Sequence, residues 1–483
     1  MTKRVPHAVP SQPDIRSLIM RIALLGSAGL LILLLVIVVP LSIPAMRMTA
    51  VRTVLAMAGA APPHDSHGYT NVLLLGTGDK NHDGADLTDT MILASIDPST
   101  RSVLMLSIPR DLYLSGNKDV PDGRINSLYV YYKGHERFEH PHDTDDELTH
   151  LALTDTADAI SVRFGIPIQG VIKADFTAFV NAVNALGGVD VVVQKPITDY
   201  SYPIKEGVTG LFHMDAGPAH LDGETALKFA RSRHGGTDFD RSQRQQQLID
   251  AMSLKLKNMS RVQQIEFVSS FWESVLSHVQ TTFSTQEILG LTQIGTELST
   301  QEVISAGINF NAGSDYQDSG AGGFLHSADP ALYQGADVLL PTTLPTDSTG
   351  WKQLQTYAGF LVYHRDLYLA HQHMQVINQS ANALAAYRLE NEIRRYGFIV
   401  DPAPKAAANA KTKKPLLAQS FVTFQEDDDK HVASFFGTLL GMNVSQQSAD
   451  PAEGTGAAVR IILGKDYKYQ PFEVIGTGSI VEK

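Results

Sequence analysis

Residues 22–46 carry no charged side chain, and Leu30–Val39 is an unbroken run of Leu, Ile and Val. About 20 apolar residues at ~1.5 Å rise cross a hydrocarbon core of roughly 30 Å, so this segment predicts a transmembrane helix. Lys3, Arg4, Arg16 and Arg21 precede it. That bias leaves the tail 1–21 in the cytoplasm and everything after Met46 outside. A cleaved signal peptide would have an apolar core of about 7–15 residues with a small-residue site directly behind it. Ala56-Met57-Ala58 has that pattern but lies too far downstream, and the reading is an uncleaved anchor.

Residues 47–66 read as a linker: a helical-looking stretch that stops at Pro62-Pro63. Beyond it the pattern changes to short β-branched and apolar runs. Asn71–Leu75, Met91–Ile96 and Val103–Ile108 predict buried strands. Asp97-Pro98-Ser99-Thr100 has Pro at the second position of a type I turn, so the last two runs predict an antiparallel hairpin. Helical periodicity covers Thr154–Phe164 and Phe176–Leu186, Gly187-Gly188 ends the second, and Val189–Val193 resumes a strand. Asp222 is a good N-cap for another helix, and a longer helix over Arg241–Asn258 has Ile249, Met252 and Leu256 on its apolar side. Strands and helices alternate without regular βαβ units, which predicts a layered α/β domain with a mixed sheet over residues 67–345.

Residues 346–370 read as a connector and 371–483 as a smaller α/β domain. In it, Met374–Asn378, Phe398–Val400, Ser420–Phe424 and Val459–Leu463 predict strands. Ala385, Leu389, Ile393 and Tyr396 share one helix face, and Val432, Phe436, Leu439 and Leu440 another. Pro402–Pro415, rich in Ala, Pro and Lys, predicts a flexible loop. Glu426-Asp427-Asp428-Asp429 reads as a helix N-terminus.

Charge and composition narrow the chemistry. The formal net charge of -12 argues against nucleic acid as partner, and the absence of cysteine excludes disulfides, thiolate metal sites and cysteine nucleophiles. Against that acidic background, four arginines, two aspartates and two glutamines fall within residues 231–245. Arg231 and Arg233 would alternate along an extended helix exit, while Arg241, Arg244 and Gln245 share one face of the following helix. Converging guanidinium forks suit a multivalent oxyanion such as pyrophosphate; a surface charge network paired to Asp238 and Asp240 fits the composition equally well. Arg110, in Ser107-Ile108-Pro109-Arg110-Asp111, adds a fifth arginine just past a buried strand. Asp79 and Asp89 stand at neighbouring strand ends, where two carboxylates could hold one Mg²⁺, and where ordinary exposed loop aspartates are also common. His135, His140, His142 and His150 fall in a polar, acidic stretch that reads as a solvated loop rather than a metal site.

The ordered set NVLLLG…TDTMILASIDP…SIPRDLYL…RINSLY…GGVDV…FHMDAGPAHLDGETALKFARSRHGGTDFDRSQRQQ resembles the LytR–CpsA–Psr domain, strongly over about residues 70–260 and more weakly to about 345. MQVINQSANALAAYRLENEIRRYGF and the closing VRIILGKDY resemble the LytR C-terminal domain that often follows it. The resemblance implies a membrane-anchored extracytoplasmic phosphotransferase. Such an enzyme takes a glycopolymer (teichoic acid or capsule) from a polyprenyl-pyrophosphate carrier in the membrane lipid and joins it to peptidoglycan through a phosphodiester.

Residue by residue, the resemblance implies Mg²⁺ at Asp89 and pyrophosphate at Arg110, Arg231, Arg233 and Arg241. Asp238 and Gln245 fall on the family's remaining polar site positions. Arg124 stands where the family usually has Lys before Ile-Asn, and Arg124 and Arg244 are expected to bind substrate. Two positions depart from the pattern. Gly78 takes the place of the usual Asp, with Asp79 one residue later, and Leu87 replaces a common arginine. A lipid-pyrophosphate hydrolase on the same site and a non-catalytic wall-polymer binder or regulator are the alternatives. The lipid tail would need an apolar tunnel near Phe176–Leu186 and Leu248–Leu256, residues that serve equally as core.

Overall fold

The computed structural model describes residues 62–79, 84–205, 208–232, 238–259, 278–295, 303–308, 323–343, 349–380, 382–402, 416–447 and 457–475. The predicted anchor at 22–46, Arg233, and residues 403–415 of the predicted loop lie outside them. Among the described residues no helix is long and apolar enough to cross a membrane. The chain divides into two units. The smaller, among described residues, holds Pro62, the turn Pro98–Thr100 and a helix at Thr285–Gly295 with Glu287 in its first turn. Everything else described belongs to the larger.

The apolar runs near the start of that unit form the middle of a six-stranded sheet. β1 (Thr70–Gly76), β2 (Thr90–Asp97) and β3 (Ser102–Ser107) pair antiparallel in sequence order, with Asp97 opposite Ser102 at the predicted hairpin. β4 (Gly170–Ala174) joins β1 in parallel. Further on, β5 is Val189–Val193, β6 Ile197–Lys205, β7 Val208–Met214, β8 Gly217–Leu221, β9 Val279–Thr281 and β10 Val303–Gly307. β9 pairs antiparallel with β4, and β10 parallel with β3, giving the order β9-β4-β1-β2-β3-β10. The sheet is therefore mixed, as the irregular alternation predicts. Its polarity brings the C-terminal ends of β1, β3 and β4 to the same edge as the N-terminal ends of β2 and β9.

α1 (Leu128–Glu139) and α2 (Asp145–Phe164) follow β3 in the chain. α2 starts nine residues earlier than periodicity alone predicts, because Thr144 and Glu147 close a capping box and Asp145, Asp146 and Glu147 meet the positive end of the helix dipole. His135 stands on α1, His140 caps its end and His150 stands on α2, so most of the stretch expected as a solvated loop is a helix pair. α3 (Phe176–Ala185) ends at Gly187 and Gly188, whose φ of 73° and 84° suit glycine and turn the chain into β5. α4 (Gly223–Arg231) and α5 (Asp238–Asn258) pack with β5 to β8 around a second core of Val183, Val189, Val191, Phe229 and Leu248. Val183 and Leu248, two positions where a lipid tunnel was weighed against core, are thus core.

Within the stretch expected as a connector lies α6 (Trp351–Tyr363), buried on nearly every side and packed against α2 and β3. A short α7 (Arg365–Leu369) follows. The C-terminal sheet runs β12-β11-β15-β13-β14, where β11 is His373–Asn378, β12 Ile399–Asp401, β13 Phe421–Phe424, β14 Asn443–Gln446 and β15 Val459–Leu463. α8 (Ala383–Arg395) buries Ala385, Leu389 and Ile393 completely, and α9 (Lys430–Leu440) buries Val432 and Phe436. The acidic run before α9 forms a 3-10 turn with a capping box between Glu426 and Asp429.

Phe324, Tyr357, Phe360, Tyr396 and Phe472 interlock, so the core runs continuously from the first domain into the second. Beside this aromatic set, Glu473 receives a hydrogen bond from the Tyr396 hydroxyl at 3.3 Å. Burial, and then the neighbouring Glu392, push the Glu473 carboxyl up to about 7. The unfolded chain ionises it near 4.5 while the folded chain keeps its proton. Its contribution to stability is therefore present below pH 4.5 and is lost as pH rises toward 7. A loss of about 3 kcal/mol is expected across that window. Glu473→Gln should reduce the slope in urea titrations at pH 5, 6 and 7.

Candidate active site

The shared sheet edge brings Asp89, Arg110 and Arg124 together, at the end of the sheet where α/β folds tend to bind ligands. Asp89 precedes β2 directly. The backbone beside it is fixed by Thr88, whose N–H and hydroxyl both donate to the Asn126 carbonyl, at 3.0 and 3.1 Å. The Asp89 side chain is 40% exposed. Its Oδ1 accepts from Arg110 Nη1 at 3.0 Å and from Asn126 Nδ2 at 3.3 Å.

Arg110 leaves the end of β3 with its side chain only 11% exposed. Its Nε donates to Asp111 Oδ2 at 3.1 Å, and Arg124 Nη1 donates to Asp111 Oδ1 at 3.2 Å. Backbone pairing of Tyr113 with Arg124, and of Asn126 N–H with the Arg110 carbonyl, laces the two segments together. Asp89, Arg110, Asp111 and Arg124 thus form one alternating chain of charge, with two guanidinium groups sharing the buried Asp111 carboxylate. Sequence reasoning assigned no role to Asp111 or Asn126. Both lie inside the quoted motifs, but their role depends on a pairing between loops that local spacing does not encode.

A second group gathers at the start of α3, which follows β4 at the same edge. Asp79 Oδ1 accepts from the Thr177 N–H at 3.1 Å and from its hydroxyl at 3.2 Å. The Arg231 guanidinium lies 4.2 Å from the centre of the Phe176 ring and 5.6 Å from that of Tyr202. Arg231 Nη1 also donates to the Tyr202 hydroxyl at 3.4 Å. Burial raises the Tyr202 phenol, with Arg231 acting in the opposite direction, so the hydroxyl stays protonated near neutral pH. Aromatic faces attract a guanidinium through the ring quadrupole. Arg231 is the last residue of α4, not part of an extended exit as predicted from alternation.

Arg244 is half-buried on α5. Its Nε donates to the Phe229 carbonyl at 2.9 Å, and its Nη2 donates to the Ser232 carbonyl. This guanidinium caps the end of α4 and so positions Arg231. Ser232, fully buried, donates from its hydroxyl to Asp199 at 3.1 Å. Gln245 is half-buried on α5; Asp238 and Arg241 belong to the same helix, with side chains outside the described residues.

Among the described residues no group of three or more His, Asp or Glu stands together as a metal cage. The part-exposed Asp89 carboxylate at an arginine-rich edge is nevertheless a donor that suits Mg²⁺, which takes one or two protein carboxylates and completes its shell with water and phosphate.

The LytR_cpsA_psr family model matches residues 47–324, more than half of the chain. The chain belongs to the LytR_cpsA_psr family. A second model, described as LytR cell envelope-related transcriptional attenuator, matches residues 373–467. Relatives include the polyisoprenyl-teichoic acid–peptidoglycan teichoic acid transferase TagT of Bacillus subtilis, 27% identical over 254 residues, or 52% of this chain and 70% of that protein. The TagU transferase of Oceanobacillus iheyensis is 30% identical over 194 residues, 40% of this chain and 53% of the relative. The cell wall biosynthesis protein LcpA of Corynebacterium glutamicum is 27% identical over 211 residues, 40% of this chain and 38% of its own length. Among solved structures, Bacillus subtilis TagV matches with 23% identity and a TM-score of 0.42, over 61% of this chain and 97% of that one. TagT bound to LIIa-WTA matches with 21% identity and a TM-score of 0.42, over 61% and 91%.

Proposed function

We propose that this chain is a membrane-anchored, extracytoplasmic phosphotransferase that moves a glycopolymer from a polyprenyl-pyrophosphate carrier onto peptidoglycan. The observation that carries the reading is Arg110, held at the sheet edge between the Asp89 and Asp111 carboxylates, with Arg124 joined through the same Asp111. Phosphoryl transfer is served mainly by positioning and by neutralising charge on the transferring and leaving oxygens. In this proposal Arg110 and Arg124 face the pyrophosphate, and Asp111 holds both guanidinium groups in fixed orientations. Arg231, cradled by Phe176 and Tyr202, supplies a third cation. Arg233, Arg241, Asp238 and Gln245 are assigned to the same substrate by the family pattern. Asp89, with Asp79 as the second candidate, would hold Mg²⁺, which when bound supplies further charge neutralisation. The segment 22–46 would keep the site at the outer membrane face, where its lipid substrate resides.

Release of polyprenyl phosphate from a defined lipid-linked pyrophosphate oligosaccharide tests the reading. The full chain should release it with Mg²⁺ and peptidoglycan fragments together, and slowly without the acceptor. Equal release without acceptor would make the chain a hydrolase, and no release across several polymers would make it a binder. Phe176→Ala, which removes the ring under Arg231, should slow release about fivefold, the equivalent of one cation–π contact of ~1 kcal/mol.

A further inference from the structure

One step beyond the paired strands, the sheet edge presents His278, Asp175, Thr77 and Asp89 in that order. The registers that set it are Val279 opposite Ala174, Ala174 opposite Gly76, and Gly76 opposite Thr90. His278 Nδ1 lies 2.7 Å from Asp175 Oδ2, and the Asp175 N–H donates to the His278 carbonyl at 3.2 Å. The second carboxylate oxygen, Oδ1, accepts from the Ala178 N–H at 2.9 Å and so caps α3. Asp175 is thus held at one oxygen by a helix N-terminus and at the other by an imidazole. An ionised carboxylate only accepts, so the ring hydrogen sits on Nδ1 and the neutral imidazole keeps a lone pair at Nε2.

His220–Asp190, His373–Asp401 and His431–Asp366 are also paired, but their imidazoles are 55–56% exposed. His278 is 35% exposed and Asp175 20%, and this pair lines a cavity of about 460 Å³. That volume falls within the ~300–1,000 Å³ typical of small-ligand sites, enough for a sugar unit. Lys173 from β4 shares the lining, with Lys133 from α1 and Thr149 from α2. The cavity borders both parts of the candidate active site. Asp86, three residues before Asp89, belongs to its wall. Phe176 and Thr177, which contact Arg231 and Asp79, directly follow Asp175. Three strand spacings of ~4.8 Å separate the His278 and Asp89 backbones, a gap that a pyrophosphate and an attacking hydroxyl fill. A histidine whose Nδ1 is fixed by a carboxylate and whose Nε2 is available is the arrangement that takes a proton from a hydroxyl.

We infer that this cavity receives the acceptor sugar and that His278 is the general base for the transfer, an inference that rests on the proposed function. The acceptor hydroxyl oxygen bonds to the phosphorus that carries the glycopolymer, and its proton passes to His278 Nε2. The bond from that phosphorus to polyprenyl phosphate breaks, and polyprenyl phosphate leaves with the electron pair. Nε2 afterwards gives the proton to water. Asp175 is a positioning residue, which keeps the hydrogen on Nδ1 and the ring in place. The two residues lie 103 positions apart, so local spacing hides the pair.

The experiment follows phosphodiester formation by the full chain with a lipid-linked pyrophosphate oligosaccharide and Mg²⁺ while the peptidoglycan fragment is varied. His278→Gln should lower kcat about 10²-fold, the lower end for general base catalysis, because phosphoryl transfer relies mainly on positioning and charge. KM for the fragment should stay within about twofold of the parent value. Imidazole added to His278→Ala should restore part of the rate, which a purely structural role for the ring would not allow. Asp175→Asn keeps an N-cap for α3, but its amide then donates to Nδ1 and moves the ring hydrogen to Nε2. Its rate should fall to a similar extent with an unchanged melting temperature, and it carries the test should His278→Gln fail to fold. A parent chain that forms no phosphodiester would overturn the proposed function and this inference with it. A parent that transfers, with His278→Gln equally fast or His278→Ala unrescued by imidazole, would overturn this inference alone.

Discussion

Replacing Arg110 with alanine is expected to lower polymer transfer about 10²–10³-fold, the range seen when one preorganised charge donor is removed from a reacting oxyanion. The expectation rests on placement as much as on charge. The guanidinium is nearly buried, leaves the end of a central strand and is gripped by Asp89 on one side and Asp111 on the other. Its removal takes away one cation and brings the Asp89 and Asp111 carboxylates closer to unscreened repulsion. Arg110→Lys keeps the charge but cannot bridge both carboxylates with a planar fork, so it should recover only part of the rate. Initial rates of product formation at saturating lipid substrate, with circular dichroism as the check on folding, measure both effects.

Arg365→Ala is expected to cost about 3–5 kcal/mol of stability, the range for breaking a buried charged network by deleting one partner. Arg365 is 2% exposed. It donates to the Val362 carbonyl at 3.1 Å, the Ser95 carbonyl at 2.9 Å and the Ser95 hydroxyl at 2.7 Å. Its guanidinium also lies 4.7 Å from the centre of the Tyr69 ring. One side chain at the start of α7 thus ties the second half of the chain to β2 in the centre of the first sheet. Deletion leaves several buried acceptors without their donor, a larger penalty than losing the packing of the stem alone. Urea unfolding of the variant should show a lower midpoint, and Arg365→Met should recover little because the acceptors remain unmatched.

Much of this architecture is legible in the sequence where a short run is buried throughout or a helix buries a single face. The strands at 71–75, 91–96 and 103–108 announce themselves as short apolar runs bounded by turn residues, and Ala385, Leu389 and Ile393 mark their helix by spacing alone. Elsewhere the pattern is silent for physical reasons. The β6–β7 hairpin exposes Tyr200, Ile204 and Leu211 and shifts register around Tyr202 and Pro203, so it shows neither clean alternation nor a buried run. α6 is buried nearly all round and has no polar face to reveal its period. α1 combines β-branched and aromatic residues with Gly134 and is recognisable chiefly by its packing on α2.

The candidate site divides in the same way. Its arginines and Asp89 stand out because clustered cations are unusual in an acidic chain and because the motif order matches a family. Asp111, Asn126, Phe176 and Tyr202 are ordinary residues until the sheet brings the ends of β1, β2, β3 and β4 to one edge. Arg244 looks like one more anion ligand on its helix face, and only the fold reveals that it bonds the carbonyls of Phe229 and Ser232.

The most direct test of the account is mass spectrometry of the full chain incubated with a polyprenyl-pyrophosphate oligosaccharide, Mg²⁺ and peptidoglycan fragments, alongside Arg110→Ala. An oligosaccharide joined to a peptidoglycan sugar through a phosphodiester is expected from the parent chain, and almost none from the variant. A product formed equally well by Arg110→Ala, or free sugar phosphate in place of the joined product, would contradict it.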